Sequence, residues 1–465
     1  MTPKLLLSIF FLFISFRIFA DSVDEYVETQ LKQQKIPGMT IAILKDNKIV
    51  KIKGYGFSNL EHQVPAKPET IYQSGSVGKQ FTATAVMMLV EEGKIHLDDP
   101  VTKYFANSPD IWKKITIRHL LTHTSGIPDY TAKDVDFRKD YTEDDLLKIL
   151  MKLPLEFQPG EKWNYSNSGY MLLGFVIHKA SGKFYGDLLE ERVFGPLGMT
   201  TAHVISESNI VPNRAAGYEL KDGKIKNQDW VSPTLNTTAD GALYLTALDM
   251  SHWAEGLNGN KLLKAESFKQ MWTPVKLNNG TSFPYGFGWR LGYQRGYRVI
   301  EHSGHWQGFS TGICRYPDFG LTVIALANLA DQGSLTIAEE IAGIHEPRLE
   351  RPHLLKKSTS PGDPQIADEL KKMLTDVGQK KTSNSLMPAF QSTVDKDTSD
   401  SIAAAMKDMK SLDFLGCDQV KEPMELFGGQ AAQYCYYRLS TSKETKTLTA
   451  GITSDKKITE FSMTE

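Results

Sequence analysis

The sequence has few cysteines, no marked excess of charge and, beyond its first twenty residues, no long apolar run. Its 465 residues include three cysteines, and their spacing matches no metal site. The formal net charge is −2 at pH 7, and no basic cluster with interleaved aromatic residues occurs. Such a balance gives no reason to expect a nucleic acid or an anionic membrane as partner. We therefore expect no metal, no cofactor and no nucleic-acid partner.

The N-terminus contains the apolar run that indicates the localisation of the protein. Lys4 precedes a mostly apolar stretch from Leu5 to Phe16, and the small residue Ala20 offers a cleavage site. A run of roughly a dozen apolar residues is too short for a membrane span and is typical of a secretory signal peptide. The sequence thus predicts a signal peptide over residues 1–20, no stable membrane span, and a secreted or periplasmic mature protein.

Export would place the cysteines in an oxidising compartment, where disulfides persist. Cys417 and Cys435 lie in neighbouring strand-like segments and can pair, which would leave Cys314 alone. Three buried thiols remain the open alternative at this point.

Residues 21–345 have the pattern of one discontinuous domain. Residues 39–53 predict a hairpin around a Lys-Asp-Asn-Lys turn, and the stretch 101–259 is mostly helical in pattern. Within that stretch, Thr142-Glu143-Asp144-Asp145 and Thr246-Ala247-Leu248-Asp249 predict helix starts similar to capping boxes, with Asp in place of Glu. Further strands are predicted at Gly286–Leu291, Arg298–His302, Phe309–Tyr316 and Leu321–Ala327, and a closing helix at Ser334–Gly343. Strands at both ends with helices between them favour an α/β (α+β) fold, in which an antiparallel sheet is flanked by helices and accompanied by a helical lobe.

The remaining residues predict a separate unit. Four prolines and mixed charge mark 346–365 as a linker. Residues 366–465 read as two or three helices followed by alternating strands, which predicts a small α+β accessory domain. This order resembles the cystatin-like modules appended to some secreted hydrolases, and no catalytic constellation is visible in it.

Chemistry is suggested first by Ser76 and Lys79, three residues apart at the start of an apolar helical segment. Residues at this spacing share a helix face, so a lysine amine can take the proton that makes a serine hydroxyl nucleophilic. The pattern itself is weak evidence, because it recurs at Ser440 and Ser454 in strand-and-turn sequence. Only Ser76 has an apolar helix behind it and candidate partners elsewhere.

Two further motifs follow in order. Tyr165-Ser166-Asn167 lies between a turn and a helical segment, and His302-Ser303-Gly304 follows a strand-like run. Together with Ser76 and Lys79 they resemble the three motifs of the serine β-lactamase and penicillin-binding protein superfamily, in its class C and DD-peptidase branch. Flanking segments agree over residues 22–345: Leu120-Leu121-Thr122-His123-Thr124-Ser125-Gly126, Pro196-Leu197-Gly198-Met199 and Tyr285-Gly286-Phe287-Gly288-Trp289.

The resemblance implies a role for each matching residue. Ser76 would be the nucleophile, Lys79 the base for acylation, and Tyr165 a proton shuttle between nucleophile and leaving group. Asn167 would donate its amide to a substrate carbonyl. His123 is expected to be a structural core residue.

The third motif departs from the pattern of most β-lactamases, which carry lysine where this chain has His302. Histidine is mostly neutral at pH 7, so a fixed cation for a substrate carboxylate is missing. Gly304 would admit substrate backbone close to the strand, and the backbone N–H of His305 would join that of Ser76 in an oxyanion hole. We therefore count His302, Gly304 and His305 among the substrate-binding residues.

The function so implied is an exported serine hydrolase that forms an acyl-enzyme, with D-amino-acid peptides as the expected substrates. A carboxylesterase acting on small esters, or a weak β-lactamase, stays open. A penicillin- or peptidoglycan-binding sensor without turnover is the alternative from a different class. The partner is in each case a small molecule or peptide, and the oligomeric state is not predicted.

Overall fold

The computed structural model describes residues 22–132, 135–259 and 261–464. The predicted signal peptide at 1–20 lies outside these ranges. The described chain divides into two units. The first holds the N-terminal part up to Thr273 together with 285–290 and 300–345, and the second holds 274–284, 291–299 and 346–464.

The larger sheet begins with the predicted hairpin. The two strands of this hairpin pair with each other up to Lys45 and Lys48. The two residues between them, Asp46 and Asn47, both have positive φ (49° and 61°). Two such residues form the type I′ turn that suits the twist of a hairpin. The first hairpin strand pairs antiparallel with the late strand Leu321–Ala327, as expected. The sheet's strands, in spatial order, are Arg290–Gln294, Tyr297–Trp306, Phe309–Tyr316, Leu321–Ala327, Gly38–Lys45, Lys48–Asn59 and Val64–Pro65.

One strand prediction is wrong. Residues 286–289 form no strand, because Gly288 has a φ of +76° and an added Cβ there would lie 2.9 Å from the carbonyl oxygen of Lys79. The strand begins later, at Arg290. This segment is irregular because it passes closely over the start of the helix that carries Lys79.

Helices fill the rest of the first unit, and two of them begin with the capping boxes that the sequence predicts. The side-chain oxygens of Thr142 and Thr246 each accept a hydrogen bond from the backbone N–H three residues later, in Asp145 and Asp249. The carboxylates of these aspartates accept in turn from the backbone N–H of the threonines. The α-helices are 22–33, Lys79–Glu91, Ile117–Leu121, Glu143–Met151, Asn167–Ser181, Tyr185–Leu189, Gly195–Leu197, Ala247–Gly256, Ala265–Met271 and Ser334–His345.

Shorter elements connect these helices. A π-helical turn spans Glu190–Phe194. The 3₁₀ helices are Gly75–Gly78, Val101–Lys103, Asp110–Lys114, Tyr130–Ala132, Leu235–Thr237 and Pro317–Phe319. Small strand pairings involve Tyr72–Gln73, His203–Val204 and Leu243–Leu245, and the hairpin of Tyr218–Lys221 with Lys224–Asn227.

The second unit is α+β. Its four-stranded antiparallel sheet runs in the order Ser411–Gln419, Gln433–Ser440, Thr445–Ile452 and Ile458–Thr464. Its helices are Pro364–Gly378, Pro388–Gln391 and Lys396–Lys407, with 3₁₀ turns at Pro347–Leu349 and Pro352–Leu354. Minor strand pairs join Val275–Lys276 to Ser282–Phe283 and Glu425–Leu426 to Gly429–Gln430. The buried faces of the helices and sheet share one apolar core around Leu370, Leu374, Ile402 and Leu448.

The strands of this unit bring the last two cysteines together. Cys417 and Cys435 are directly opposed in the sheet and form a disulfide. Cys314 is a buried free thiol in the first unit. Of the two alternatives left open by the sequence, the paired one is found. The linker at 346–365 and the domain limits stay predictions.

Candidate active site

The side chains of Ser76 and Lys79 meet at the junction of two helical elements. Ser76 lies in the 3₁₀ turn Gly75–Gly78, and Lys79 is the first residue of the α-helix that follows. Eleven of the thirteen residues of that helix are buried, Lys79 itself completely (0% exposed). Because the helix is apolar and buried all round, its first turn is held firmly beneath the site.

Lys79 makes three short polar contacts through one nitrogen. Nζ lies 3.0 Å from Ser76 Oγ, 2.7 Å from Asn167 Oδ1 and 2.6 Å from the carbonyl oxygen of Asp240. An amide oxygen and a backbone carbonyl can only accept, whereas a serine hydroxyl can donate as well. Asn167 and Asp240 therefore each accept an N–H of Lys79, and the third contact of Nζ is with the Ser76 hydroxyl.

The side chain of Asn167 is oriented by an acidic residue, Asp129. Asp129 Oδ2 accepts from the side-chain nitrogen of Asn167 at 2.9 Å and from its backbone N–H at 3.0 Å. This fixes which way the amide points, so that Oδ1 faces Lys79. Asp129 is not among the site residues predicted from the sequence. Its proximity depends on a chain separation of 38 residues, for which the sequence offers no signal.

Tyr165 packs over the same lysine. Its ring centroid lies 4.9 Å from Lys79 Nζ, and its hydroxyl is buried without a hydrogen-bond partner in the described part of the chain. A buried unpartnered hydroxyl costs free energy. The ring of Tyr165 thus lies beside Lys79, and the proton-shuttle role of its hydroxyl stays a prediction.

Strand Tyr297–Trp306 passes close to the nucleophile. An added Cβ at Gly304 would lie 2.2 Å from the carbonyl oxygen of Ser74 and 3.0 Å from the backbone nitrogen of Ser76. One at Gly75 would lie 2.5 Å from the backbone nitrogen of His305. Glycine at 304 is thus required by the nucleophile segment, whereas the resemblance implied that it makes room for substrate. The backbone nitrogens of Ser76 and His305 belong to these two adjoining segments.

His302 is a buried residue of strand Tyr297–Trp306. Its side chain is 1% exposed and is not among the cavity-lining residues. Its Nδ1 donates to the carbonyl oxygen of Ser303 at 2.6 Å, and its Nε2 lies 2.9 Å from the hydroxyl of Tyr285. Burial lowers the pKa of His302 well below 6.5, so the ring is neutral. The part of His302 in substrate binding stays a prediction.

A chain of hydrogen bonds links His302 to the tyrosine motif. The backbone N–H of Ser166 donates to His123 Nδ1 at 3.1 Å, which leaves Nε2 of a neutral His123 as donor to the Tyr285 hydroxyl, 3.1 Å away. Tyr285 then donates to His302 Nε2. Burial also lowers the pKa of His123 well below 6.5. The two histidines are thus held neutral with opposite tautomers, and His123 is the buried residue that was expected.

A cavity of about 190 Å³ opens at the nucleophile. Its lining contains Ser76, Asn167 and His305 of the predicted site. Trp306 also lines it, whereas Trp289 is fully buried in the core. The other lining residues are Gly75, Thr131, Thr238, Asp240, Gly241 and Ala242.

The described ranges contain no cluster of three or more His, Cys, Asp or Glu side chains able to hold a metal ion. Nor does any helix within them have the length and apolarity needed to cross a bilayer.

A family model described as Beta-lactamase matches residues 23–343, more than two thirds of the chain. This chain belongs to the β-lactamase family. Penicillin-binding protein 4* of Bacillus subtilis (strain 168) is 31% identical over 327 residues, which are 65% of this chain and 71% of that protein. The chain is thus a serine hydrolase of the β-lactamase and penicillin-binding protein superfamily.

Solved structures agree with this assignment. An octameric penicillin-binding protein homologue from Pyrococcus abyssi superimposes with a TM-score of 0.64 over 94% of this chain and 97% of its own. Its sequence identity of 23% makes this a likeness of fold. A D-stereospecific amidohydrolase from Streptomyces sp. is 27% identical with a TM-score of 0.55, covering 66% of this chain and 93% of that one.

Proposed function

We propose that this protein hydrolyses D-amino-acid peptides or amides through an acyl-enzyme on Ser76. The observation that carries the proposal is the position of Lys79 Nζ, 3.0 Å from Ser76 Oγ with two obligatory acceptors on its other sides. The similarity to a D-stereospecific amidohydrolase supports the substrate class. The ten described cavity-lining residues include no lysine or arginine to pair with a substrate carboxylate, which favours amides over β-lactams and over peptides with a free C-terminus at the site.

In the proposed reaction the Ser76 oxygen attacks the scissile carbonyl carbon while its proton passes to Lys79. The resulting oxyanion is stabilised by the backbone N–H groups of Ser76 and His305. The leaving amine takes a proton delivered through Lys79 and Tyr165, and the C–N bond breaks. Water then attacks the acyl-enzyme ester, assisted by Tyr165, and the proton returns to Ser76 as the acid leaves.

We also propose that the protein acts outside the cytoplasm. Support comes from the apolar run at residues 5–16 and from the Cys417–Cys435 disulfide, since such bonds persist in oxidising compartments. N-terminal sequencing of the exported protein tests this proposal, and a mature chain that begins at or near residue 21 is expected.

The mechanism is tested by the intact mass of the protein after exposure to a penicillin and, separately, to an activated ester. The variants are Ser76→Ala and, as a matched control, Ser454→Ala. Ser454 has a lysine three residues on but is exposed in a turn. An adduct or turnover that Ser76→Ala abolishes and Ser454→Ala retains is expected.

Other results would redirect the assignment. Ser76-dependent ester turnover without any reaction on D-amino-acid amides would favour a carboxylesterase. A persistent penicillin adduct without turnover would favour a sensor. Retained activity in Ser76→Ala would refute the mechanism.

A further inference from the structure

The indole of Trp306 lies on the face of strand Tyr297–Trp306 that is turned towards the nucleophile. Successive side chains of a strand point to opposite faces, so residues 304 and 306 share one face. An added Cβ at Gly304 would be 3.0 Å from the backbone nitrogen of Ser76, which shows where this face is directed. Trp306 lines the cavity at Ser76, and so does Ala242, a member of the apolar cluster against which the indole packs. The indole therefore forms part of the cavity wall.

Hydrogen bonds fix the orientation of this indole. Nε1 of Trp306 donates to Asn236 Oδ1 at 2.7 Å, and Asn236 Nδ2 donates in turn to Glu207 Oε1 at 3.0 Å. The ring of Phe137 lies 6.2 Å from the indole, centroid to centroid. An indole has a single polar group, its N–H. Because Asn236 occupies that group, the surface that the indole offers to the cavity is apolar and aromatic.

The same strand indicates which part of a substrate would meet the indole. In the proposed reaction the backbone N–H of His305 binds the oxyanion, so the scissile carbonyl lies against the residue before Trp306. Tyr165, which passes the proton to the leaving amine, lies towards the other end of the strand, with its ring 6.3 Å from that of His302. Residues 302 and 306 are about 13 Å apart along a strand. The leaving group thus faces His302, and the acyl part of the substrate faces Trp306.

The cavity has room for an aromatic side chain. Its volume is about 190 Å³. An apolar cavity of about 150 Å³ is enough to bind a benzene molecule. The lining includes Gly75, Gly241 and Ala242, which take up little space beside the nucleophile. A ring that enters the cavity can therefore stack on the indole in the offset or edge-to-face arrangement that aromatic pairs prefer.

We propose that Trp306 is a specificity-determining residue, which selects substrates with an aromatic side chain on the residue whose carbonyl is attacked. The inference rests on the proposed function and narrows it, from D-amino-acid peptides and amides in general to those in which an aromatic D-residue supplies the acyl group. Asn236 is a positioning residue in this scheme, because it acts only through the indole.

Two substrates that differ only in a phenyl ring test the preference, D-phenylalanine p-nitroanilide and D-alanine p-nitroanilide. For the wild type we expect kcat/KM to be higher with the aromatic substrate by about tenfold or more. Trp306→Ala should bring this ratio near one, whereas Trp306→Phe keeps an aromatic wall and should retain most of it. A ratio that Trp306→Ala leaves unchanged, or raises because the enlarged cavity admits the ring better, would overturn the proposal.

Binding without turnover separates this inference from the proposed function. In Ser76→Ala, a ring stacked on the indole should change the tryptophan fluorescence with D-phenylalaninamide at a concentration at which D-alaninamide causes no change. Ser76→Ala/Trp306→Phe should lose this response. Ser76→Ala/Trp230→Phe should keep it, since Trp230 is exposed and is not among the described lining residues.

The outcomes of the binding experiment are distinct. Equal responses to both amides, or a response that Trp306→Phe leaves intact, would overturn the role of Trp306 even if the enzyme hydrolyses both anilides. A selective response in a protein whose wild type hydrolyses neither anilide would refute the proposed function and leave the aromatic subsite standing.

Discussion

At the scale of single residues, the site depends on what surrounds one lysine. Lys79 is fully buried and has a nucleophile on one side and two acceptors on the others. Ser440 and Ser454 also have a lysine three residues on, but in strand and turn these pairs have no such enclosure. The identity of the residues is thus the same in all three pairs, and only the environment makes one of them suited to proton transfer.

Replacing this lysine tests its proposed role as base. We expect Lys79→Ala to lower the rate of acylation by a factor of about 10²–10⁴, the usual contribution of general acid–base catalysis. The measurement is stopped-flow acylation by an activated ester. Lys457→Ala, at the equivalent position of the exposed Ser454 pair, serves as control and should acylate at the wild-type rate. An equal loss in both variants would contradict the prediction.

The two buried histidines predict a pH dependence of stability. Burial lowers the pKa of both His123 and His302 well below 6.5, whereas in the unfolded chain they protonate near pH 6.5. Below that pH the unfolded state binds more protons, so the free energy of unfolding falls as the pH falls. We expect a loss of up to about 1.4 kcal/mol per pH unit for each histidine below pH 6.5, and none from these groups above it.

Urea unfolding between pH 8 and pH 5 measures this slope. His302→Gln removes one of the two groups and should make the dependence shallower. The exposed His62 offers a matched control, and His62→Gln should leave the slope unchanged. A slope in His302→Gln as steep as that of the wild type would contradict the assignment.

At the scale of elements, the site is made by close approach of backbone. Strand Tyr297–Trp306, the 3₁₀ turn Gly75–Gly78 and the turn at 239–241 meet at glycines that leave no room for a side chain. Irregular backbone at Gly288 passes over the same helix start. This crowding explains why the strand predicted at 286–291 begins later than its composition suggested.

Two glycine substitutions, one at the site and one away from it, test whether the close approach of the backbone segments is required. Gly304→Ala places a Cβ 2.2 Å from the carbonyl oxygen of Ser74, so the strand or the nucleophile turn must move. We expect at least a hundredfold loss of kcat/KM, since displacements of about 1 Å at a reacting centre have effects of that size. In Gly292→Ala, the new Cβ would meet only Val299 Cγ1, at 3.8 Å. That control should keep wild-type activity, and similar kinetics for both variants would refute the argument.

At the scale of the whole molecule, the chain forms two units, and the predicted site residues lie in one of them. All of the residues proposed to act on substrate belong to the first unit, while the disulfide belongs to the second. A covalent link between directly opposed strand residues restricts the unfolded chain, which is the main way in which a disulfide stabilises.

From the disulfide we expect that its loss changes the stability of the protein alone. For a sequence separation of 18 residues, its removal in Cys417→Ser/Cys435→Ser should cost about 3 kcal/mol. Chemical denaturation of the two proteins measures the difference, and Cys314→Ser, which leaves the disulfide intact, provides the control for a lost buried thiol. Alkylation of the denatured, unreduced wild type should modify one cysteine, and after reduction three. Three modified thiols before reduction would contradict the pairing.

The sequence by itself determined the family, the order of the motifs, the capping boxes, the first hairpin and the α+β pattern of the last hundred residues. Each of these depends on local spacing or on residues whose chemistry is rare in combination. Only the tertiary structure decided that His302 lies buried on Tyr285, that Asp129 orients Asn167, and that the backbone carbonyl of Asp240 accepts from Lys79. These relations join residues that are 17 to 161 positions apart. Contacts of that kind arise from packing, which no local pattern encodes.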